Sequence, residues 1–373
     1  MKRFALIMGC VVWTIFLLSC REEPLPVRDN LKVTAEIRLK TLLNFKEVRD
    51  GYVVSGIKDS KLTISKLDVN FNVVWTQNSF EWGNIYSEGG WGGSFYSIDR
   101  VEIIEKENGD LVCFCSIMQG GDVICHSVRI VRLDQSGNER RSKEIASYAL
   151  ISVTPLGESD YLLFGNSFIR LASDFTIVSE NKELNYVMTG AYLTPTADQG
   201  VAVTGTWNSQ QVYLQKLDQN GNIQWEKKNY NQTPFNGLGY DLRQMANGDF
   251  VIIGRTRNLK EPWDIDCFMI RTNPTGDTIW TKKFGSDANE WLEKWIYTSA
   301  NNFIIQQTIG FPNQPDRSAR LLRISGNGEI IDSKAMNISD QLIYTTAGYF
   351  VKAAQKGDNI LSLTKIPFDN LFD

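Results

Sequence analysis

Between residues 239 and 285, short apolar runs alternate with turn residues in a fixed order. Asp241–Met245 predicts a first strand, a. Asn247-Gly248-Asp249 predicts a tight turn, because Asn-Gly supplies the positive φ that a two-residue hairpin needs. Phe250–Arg255 predicts strand b, and Cys267–Arg271, after a longer loop, strand c. Asn273–Asp277, with Pro274 and Gly276, predicts a second turn, and Thr278–Lys282 predicts strand d. Strand b is apolar on both faces. A sheet wet on one side alternates apolar and polar positions, whereas a sheet covered on both sides need not. Such a four-stranded antiparallel sheet must be stacked between copies of itself.

The copies are present. The residue before strand b is Gly51, Asp110, Asp160, Gly200, Asp249, Asn302 and Gly348 in turn. The third residue after each is always apolar. The fifth is Gly56, Cys115, Gly165, Gly205, Gly254, Gln307 or Ala353; a small residue in all but one predicts close approach of neighbouring backbone. A second column marks the c–d turn: Leu67-Asp68, Leu133-Asp134, Leu217-Asp218, Thr272-Asn273 and Ile324-Ser325, with Leu171–Asp174 a degenerate copy. Trp75, Trp225 and Trp280 stand at one offset from this column and are expected to pack between repeats. The seventh unit supplies a (Leu342–Ala347), b (Tyr349–Ala354) and c (Asn359–Ile366), and no d. Lys32–Leu39 is a spare strand ahead of the first unit. The expectation is an all-β fold: a seven-bladed β-propeller of four-stranded antiparallel blades, closed by the N-terminal strand completing the last blade. It forms a single domain over 31–373.

These blades resemble bacterial seven-bladed β-propeller lipoproteins with LDxxGNxxW-like repeats, common in Bacteroidetes. The stretch 272–280 matches the Asp-box of sialidases only in part, and no set of residues resembles a quinoprotein site. Turns of this kind imply fold rather than reaction. The N-terminus agrees with the resemblance. Met1-Lys2-Arg3 is a basic start, Phe4–Leu18 a short apolar run, and Leu17-Leu18-Ser19-Cys20 resembles the lipobox. That resemblance implies a lipoprotein signal peptide over 1–19 and acylation of Cys20. Residues 20–30, with Pro24 and Pro26, read as a flexible tether. Glu22-Glu23 after Arg21 resembles the export signal of surface lipoproteins, with an ordinary solvated linker as the alternative. The expected location is the outer membrane, lipid-anchored, facing either the cell surface or the periplasm.

Composition narrows the chemistry. The formal net charge is −4, and no basic run or basic–aromatic stripe is visible, so nucleic acid is excluded as a partner class. The single histidine, His126, falls on strand c of blade 2 and reads as a packed strand residue. Cys113 and Cys115 share one face of strand b, with Cys125 on the next strand. Buried free thiols are the first reading; a Cys115–Cys125 disulfide and a metal site with His126 are the alternatives, although the usual zinc spacing is missing. Asp68, Asn70 and Asn72 imitate the start of a calcium loop without its glycine and distal glutamate. No nucleotide loop or nucleophile elbow is found. No catalytic residue, metal or cofactor is assigned.

Strand alternation puts the a–b and c–d turns at one end of the ring and the b–c and d–a loops at the other. The second set is longer and richer in aromatics. The expected working face is that end, centred on 80–97, with Trp82, Tyr86, Trp91 and Tyr96, and with Trp263 and Trp291 contributing from blade 5 and the blade 5–6 link. Two functions fit. One is a membrane-anchored module, most simply a monomer, that binds a glycan or a protein partner. The other is a carbohydrate-active enzyme, a glycoside hydrolase or lyase, using Asp/Glu at the loop end.

Overall fold

Seven four-stranded antiparallel sheets succeed one another around a propeller ring. The computed structural model describes residues 34–372 apart from 60, 79–94, 121–124, 158, 182–187, 208–210, 229–236, 257–264, 287, 299–301, 311–316, 338–339 and 357–359. The chain enters with β1 (Thr34–Arg38). Blade 1 is β2 (Thr41–Val48), β3 (Gly51–Lys58), β4 (Lys61–Asp68) and β5 (Val73–Gln77). Blade 2 is β6 (Phe95–Glu105), β7 (Leu111–Gly120), β8 (Cys125–Leu133) and β9 (Glu139–Ala146). Blade 3 is β10 (Ser152–Leu156), β11 (Asp160–Phe164), β12 (Phe168–Leu171) and β13 (Ile177–Asn181). Blade 4 is β14 (Met188–Pro195), β15 (Val201–Trp207), β16 (Gln211–Leu217) and β17 (Ile223–Lys228). Blade 5 is β18 (Gly237–Gln244), β19 (Phe250–Thr256), β20 (Cys267–Thr272) and β21 (Thr278–Phe284). Blade 6 is β22 (Glu290–Tyr297), β23 (Asn302–Ile309), β24 (Ser318–Ser325) and β25 (Ile330–Met336). Blade 7 is β26 (Gln341–Tyr344), β27 (Tyr349–Gln355), β28 (Ile360–Pro367) and, as its fourth strand, β1.

The closure follows the expected pairing. Thr34 lies opposite Thr364 and Arg38 opposite Ile360. Leu39, just beyond, is buried among Tyr52, Val54 and Leu67 of blade 1 and Val351 and Leu363 of blade 7. The spare strand therefore both completes a sheet and wedges the first blade against the last.

The two sequence columns acquire physical causes. Asp68, Asp134, Asp218 and Asn273 each accept hydrogen bonds from the backbone N–H groups two and four residues on, at 2.8–3.0 Å. The Asp68 carboxylate is thus committed to its own turn, which holds its pKa below the usual carboxylate range, the Asn72 side chain first among the causes. A Cβ at Gly56, Gly165 or Gly254 would sit 2.0–2.2 Å from a backbone carbonyl of strand a or the segment leading into it, so glycine is required at these three positions.

The tryptophan column works across blades. The Trp75 ring lies over Gly137 of blade 2, Trp225 over Gly276 of blade 5 and Trp280 over Gly328 of blade 6. Each of these glycines has φ near +80°. Blades 7 and 2 lack a tryptophan at this offset, and the turn glycine of the blade after each is replaced by Phe71 or Phe175. Both phenylalanines keep the left-handed conformation, at φ 68° and 67°, and are buried. Sequence periodicity alone missed a further staple. An anion near the a–b turn pairs with a cation on strand c in five blades: Asp50–Lys66, Asp110–Arg132, Asp160–Arg170, Asp198–Lys216 and Asp249–Arg271. The last pair is largely buried, and Arg271 also donates to Gly326 O of the next blade. Arg271→Ala is expected to destabilise by about 3 kcal/mol in urea unfolding, because Asp249 is left uncompensated.

Candidate functional site

The innermost strands bring chemistry to the axis. Strand a carries a bulge in five blades, where pairing shifts register between Leu42 and Asn44, Ile98 and Arg100, Thr189 and Tyr192, Gly239 and Asp241, and Leu292 and Lys294. A bulge bends the strand and re-aims the side chains that follow it. In most blades the residue after the bulge, or its counterpart, reaches to the next blade. Asn44 donates to Val101 O at 2.7 Å and Arg100 to Ile151 O. Ser152 accepts from Leu193 N–H at 3.2 Å, and Asp241 accepts from Trp295 Nε1 at 2.8 Å. Two residues on, Lys46 donates to Ile103 O at 2.7 Å. Lys294 holds the first of these positions in blade 6, directly after the bulge, and Arg243 the second in blade 5. Neither makes a hydrogen bond or an ion pair with any described residue.

Both project into an axial cavity of about 700 Å³. Its walls come from β2, β6, β18, β22 and β26 and include Lys46, Glu102, Arg243 and Lys294 with the amides Asn44, Gln244 and Gln341. Glu47, Gln244, Tyr297 and Tyr344 also line it, and they stand at or next to the last residue of their strands. The cavity therefore runs toward the a–b end of the ring. Sequence reasoning placed the working face at the opposite end, and no feature of the repeat columns pointed to this set. The one available signal was the charge on strand a of blades 1, 2, 5 and 6, which a core-facing strand has no packing reason to carry.

The electrostatics of the cavity are unbalanced. Burial against the channel wall lowers the pKa of Lys294 to about 8, with Arg243 lowering it further and Glu102 opposing. Lys46 is lowered as well, first by burial and then by Arg243, although its side chain is open to the cavity. Burial raises the Glu102 and Asp241 carboxyls, and Asp241 adds to the rise at Glu102. Cations crowd cations here, and the carboxyls beside them are reluctant to ionise.

The expected aromatic face is only partly within view. Trp82, Tyr86, Trp91 and Trp263, like Cys20 and the segments 1–19 and 20–30, lie outside the described residues. Tyr96 belongs to β6 and not to a loop. Trp291 is likewise the second residue of β22, not part of a link. The Arg255 guanidinium covers its ring at 4.5 Å and that of Tyr240 at 5.0 Å, and Tyr240 meets Tyr192 edge-on at 6.4 Å. Aromatics of blades 4, 5 and 6 are thus joined through one arginine.

The cysteines settle differently from one of the sequence alternatives. Register sets Cys115 opposite Arg129 and Cys125 opposite Gln119, so the two are not cross-strand neighbours. Cys113 and Cys115 are buried free thiols, as is Cys267. Burial pushes the Cys113 and Cys267 thiols up to about 12 and Cys115 well above its ordinary value. These three are expected to stay unlabelled by iodoacetamide at pH 8 until urea unfolds the chain; labelling of the native protein at Cys113 would contradict this burial. His126 is the second residue of β8, next to the b–c turn and not mid-strand, with its Nδ1 buried and unpartnered. No group of three or more His, Cys, Asp or Glu among the described residues is placed to hold a metal.

No family model and no curated protein matches the chain. Solved structures do. The BBS1N chain of a complex with ARL6DN is 9% identical, with 90% of this chain and 94% of that one covered at TM-score 0.50. An ancestral GH74 enzyme is 11% identical over 89% of this chain, at TM-score 0.50, and the chain spans 48% of its length. A protein of unknown function from Bacteroides caccae is 10% identical, with 79% and 93% covered at TM-score 0.40. At these identities the likeness is one of fold: the chain is a seven-bladed β-propeller.

Proposed function

We propose that this propeller is a binding module, not an enzyme, and that it takes a sugar-sized polar ligand in its axial cavity. The observation that carries this reading is the cavity of about 700 Å³ into which two cations project without a hydrogen bond or close ion pair among the described residues. Its volume falls within the range of small-ligand sites, and its amides, tyrosines and charged groups suit a ligand rich in hydroxyls. A glycan meets that description better than a flat protein surface, which would not fill a concave site. Resemblance at Leu17–Cys20 supports anchoring to the outer membrane by a lipid on Cys20.

Filling the cavity tests the binding. Gln341→Trp should abolish the signal of the wild-type protein on a glycan array while leaving its melting temperature unchanged. A wild-type protein that binds no glycan, or a variant that binds as well, overturns the reading. Metabolic labelling with a palmitate analogue tests the anchor: wild type should label and Cys20→Ser should not.

A second reading, a glycoside hydrolase, is favoured by one observation. Glu102 lines the cavity, burial raises both its carboxyl and that of Asp241, and Asp241 adds to the rise at Glu102. It predicts turnover of a glycan that Glu102→Gln abolishes and binding that survives.

A further inference from the structure

We propose that Arg243 and Lys294 form an anion-binding pair, and that the ligand of the cavity is an acidic sugar whose carboxylate or sulfate group they receive. The inference rests on the glycan reading above for the sugar, and on separate geometry for the anion. Side chains at these two levels of strand a have structural work in other blades: Asn44, Arg100, Ser152 and Asp241 each bond to the neighbouring blade, and so does Lys46. Arg243 and Lys294 occupy the same levels and make no such bond. Lys294 is half-buried, where a cation without a close partner costs stability, and Arg243 stands open to the cavity beside it. An incoming oxyanion supplies what both lack. The guanidinium offers a planar fork for two oxygens and the ammonium a point charge beside it.

The surrounding groups sharpen the expectation. Lys294 interacts with Arg243 on β18 and Glu102 on β6, and Glu102 in turn with Lys46 on β2 and Asp241 on β18. Burial and the arginine hold the pKa of Lys294 at about 8. Below that pH it is charged and receives an anion; as pH rises through this value the free protein loses the charge and the affinity falls. A ligand carboxylate alone would give no change over this range, since that group stays ionised throughout.

Calorimetric titration of the full chain tests the inference with three probes: glucuronate, methyl glucoside and inorganic sulfate. Wild type should bind glucuronate at least tenfold more tightly than methyl glucoside at pH 7. Arg243→Gln and Lys294→Gln should each weaken glucuronate at least tenfold and leave the melting temperature unchanged, because neither side chain bonds to a described residue. From pH 7 to pH 9.5 the wild-type affinity should fall, and that of Lys294→Gln should not. Equal binding of the neutral sugar, unaffected by either substitution, overturns the anion pair and leaves the glycan reading in place. Sulfate binding that both substitutions abolish, with no sugar bound, keeps the anion pair and removes the sugar. A melting temperature that drops in Arg243→Gln and Lys294→Gln makes the two cations structural and overturns the inference.

Discussion

Deleting residues 21–38 should leave a chain that melts early and self-associates. In the intact protein β1 covers the outer edge of β28 along Thr34–Arg38. Without it that edge presents unpaired N–H and C=O groups to any strand of a second molecule. The apolar loss adds to this. Ile37, which the deletion removes, and Leu39, left at the cut end, are both buried in the seam between blades 1 and 7, at 8% and 1% exposure. A milder variant separates the two effects. Leu39→Ala keeps the strand and removes only the wedge, and should destabilise by about 2–5 kcal/mol in urea unfolding, as large-to-small changes in a packed core do. The deletion should cost more than Leu39→Ala and should be the only one of the two to dimerise or aggregate in size-exclusion chromatography. A deleted chain that stays monomeric with an unchanged melting temperature would show that the ring does not depend on β1 for closure.

That closure was legible before any coordinates, because it is a matter of counting. Seven strand-b signatures with a missing d at one end and a spare strand at the other admit one economical solution. Blade boundaries were legible too, to within a few residues: β18 begins at Gly237, four residues ahead of the expected Asp241. The early start reflects the bulge at Gly239–Asp241, which adds a residue to the strand without adding a turn signal. The cavity was not legible for the same reason. Bulges in strand a decide which side chains face the next blade, and an inserted residue inverts the alternation from which facing would be read. Arg243 and Lys294 are separated by about 50 positions in sequence and meet only because their strands are neighbours on the axis. The cysteine alternative failed on register. Cys115 and Cys125 sit symmetrically about the hairpin turn only if that turn is centred on Gly120, whereas β7 continues to Gly120 and Cys125 opens β8.

Exchanging an aromatic between two blades should show strong coupling. Trp75→Arg empties the space over Gly137 and should cost about 2 kcal/mol, since the ring is only half-buried. Gly137→Phe alone should cost more. Its φ of 83° disfavours any side chain, and a Cβ there would lie 2.7 Å from the Trp75 ring, so strain and overpacking together reach about 2–4 kcal/mol. The double variant reproduces what the protein does one seam further on. There blade 2 supplies Arg141, which donates to Asp174 O at 2.7 Å, and blade 3 supplies Phe175 at φ 67°. Phe175 is fully buried beside Tyr161, with ring centroids 6.3 Å apart. An arginine on the outer strand and a phenylalanine in the turn thus fill the seam as a tryptophan and a glycine do elsewhere. Trp75→Arg with Gly137→Phe should therefore be more stable than the sum of the single costs by about 2 kcal/mol, within the range for side chains in contact. Urea unfolding of the four proteins in the cycle measures this. Additive costs would mean that the phenylalanine and tryptophan do not compete for one space, and that Phe71 and Phe175 are retained for some other reason. Coupling of the expected size makes the blade 1–2 seam a single aromatic socket, filled from the blade before it or, as at the blade 2–3 seam, from its own turn.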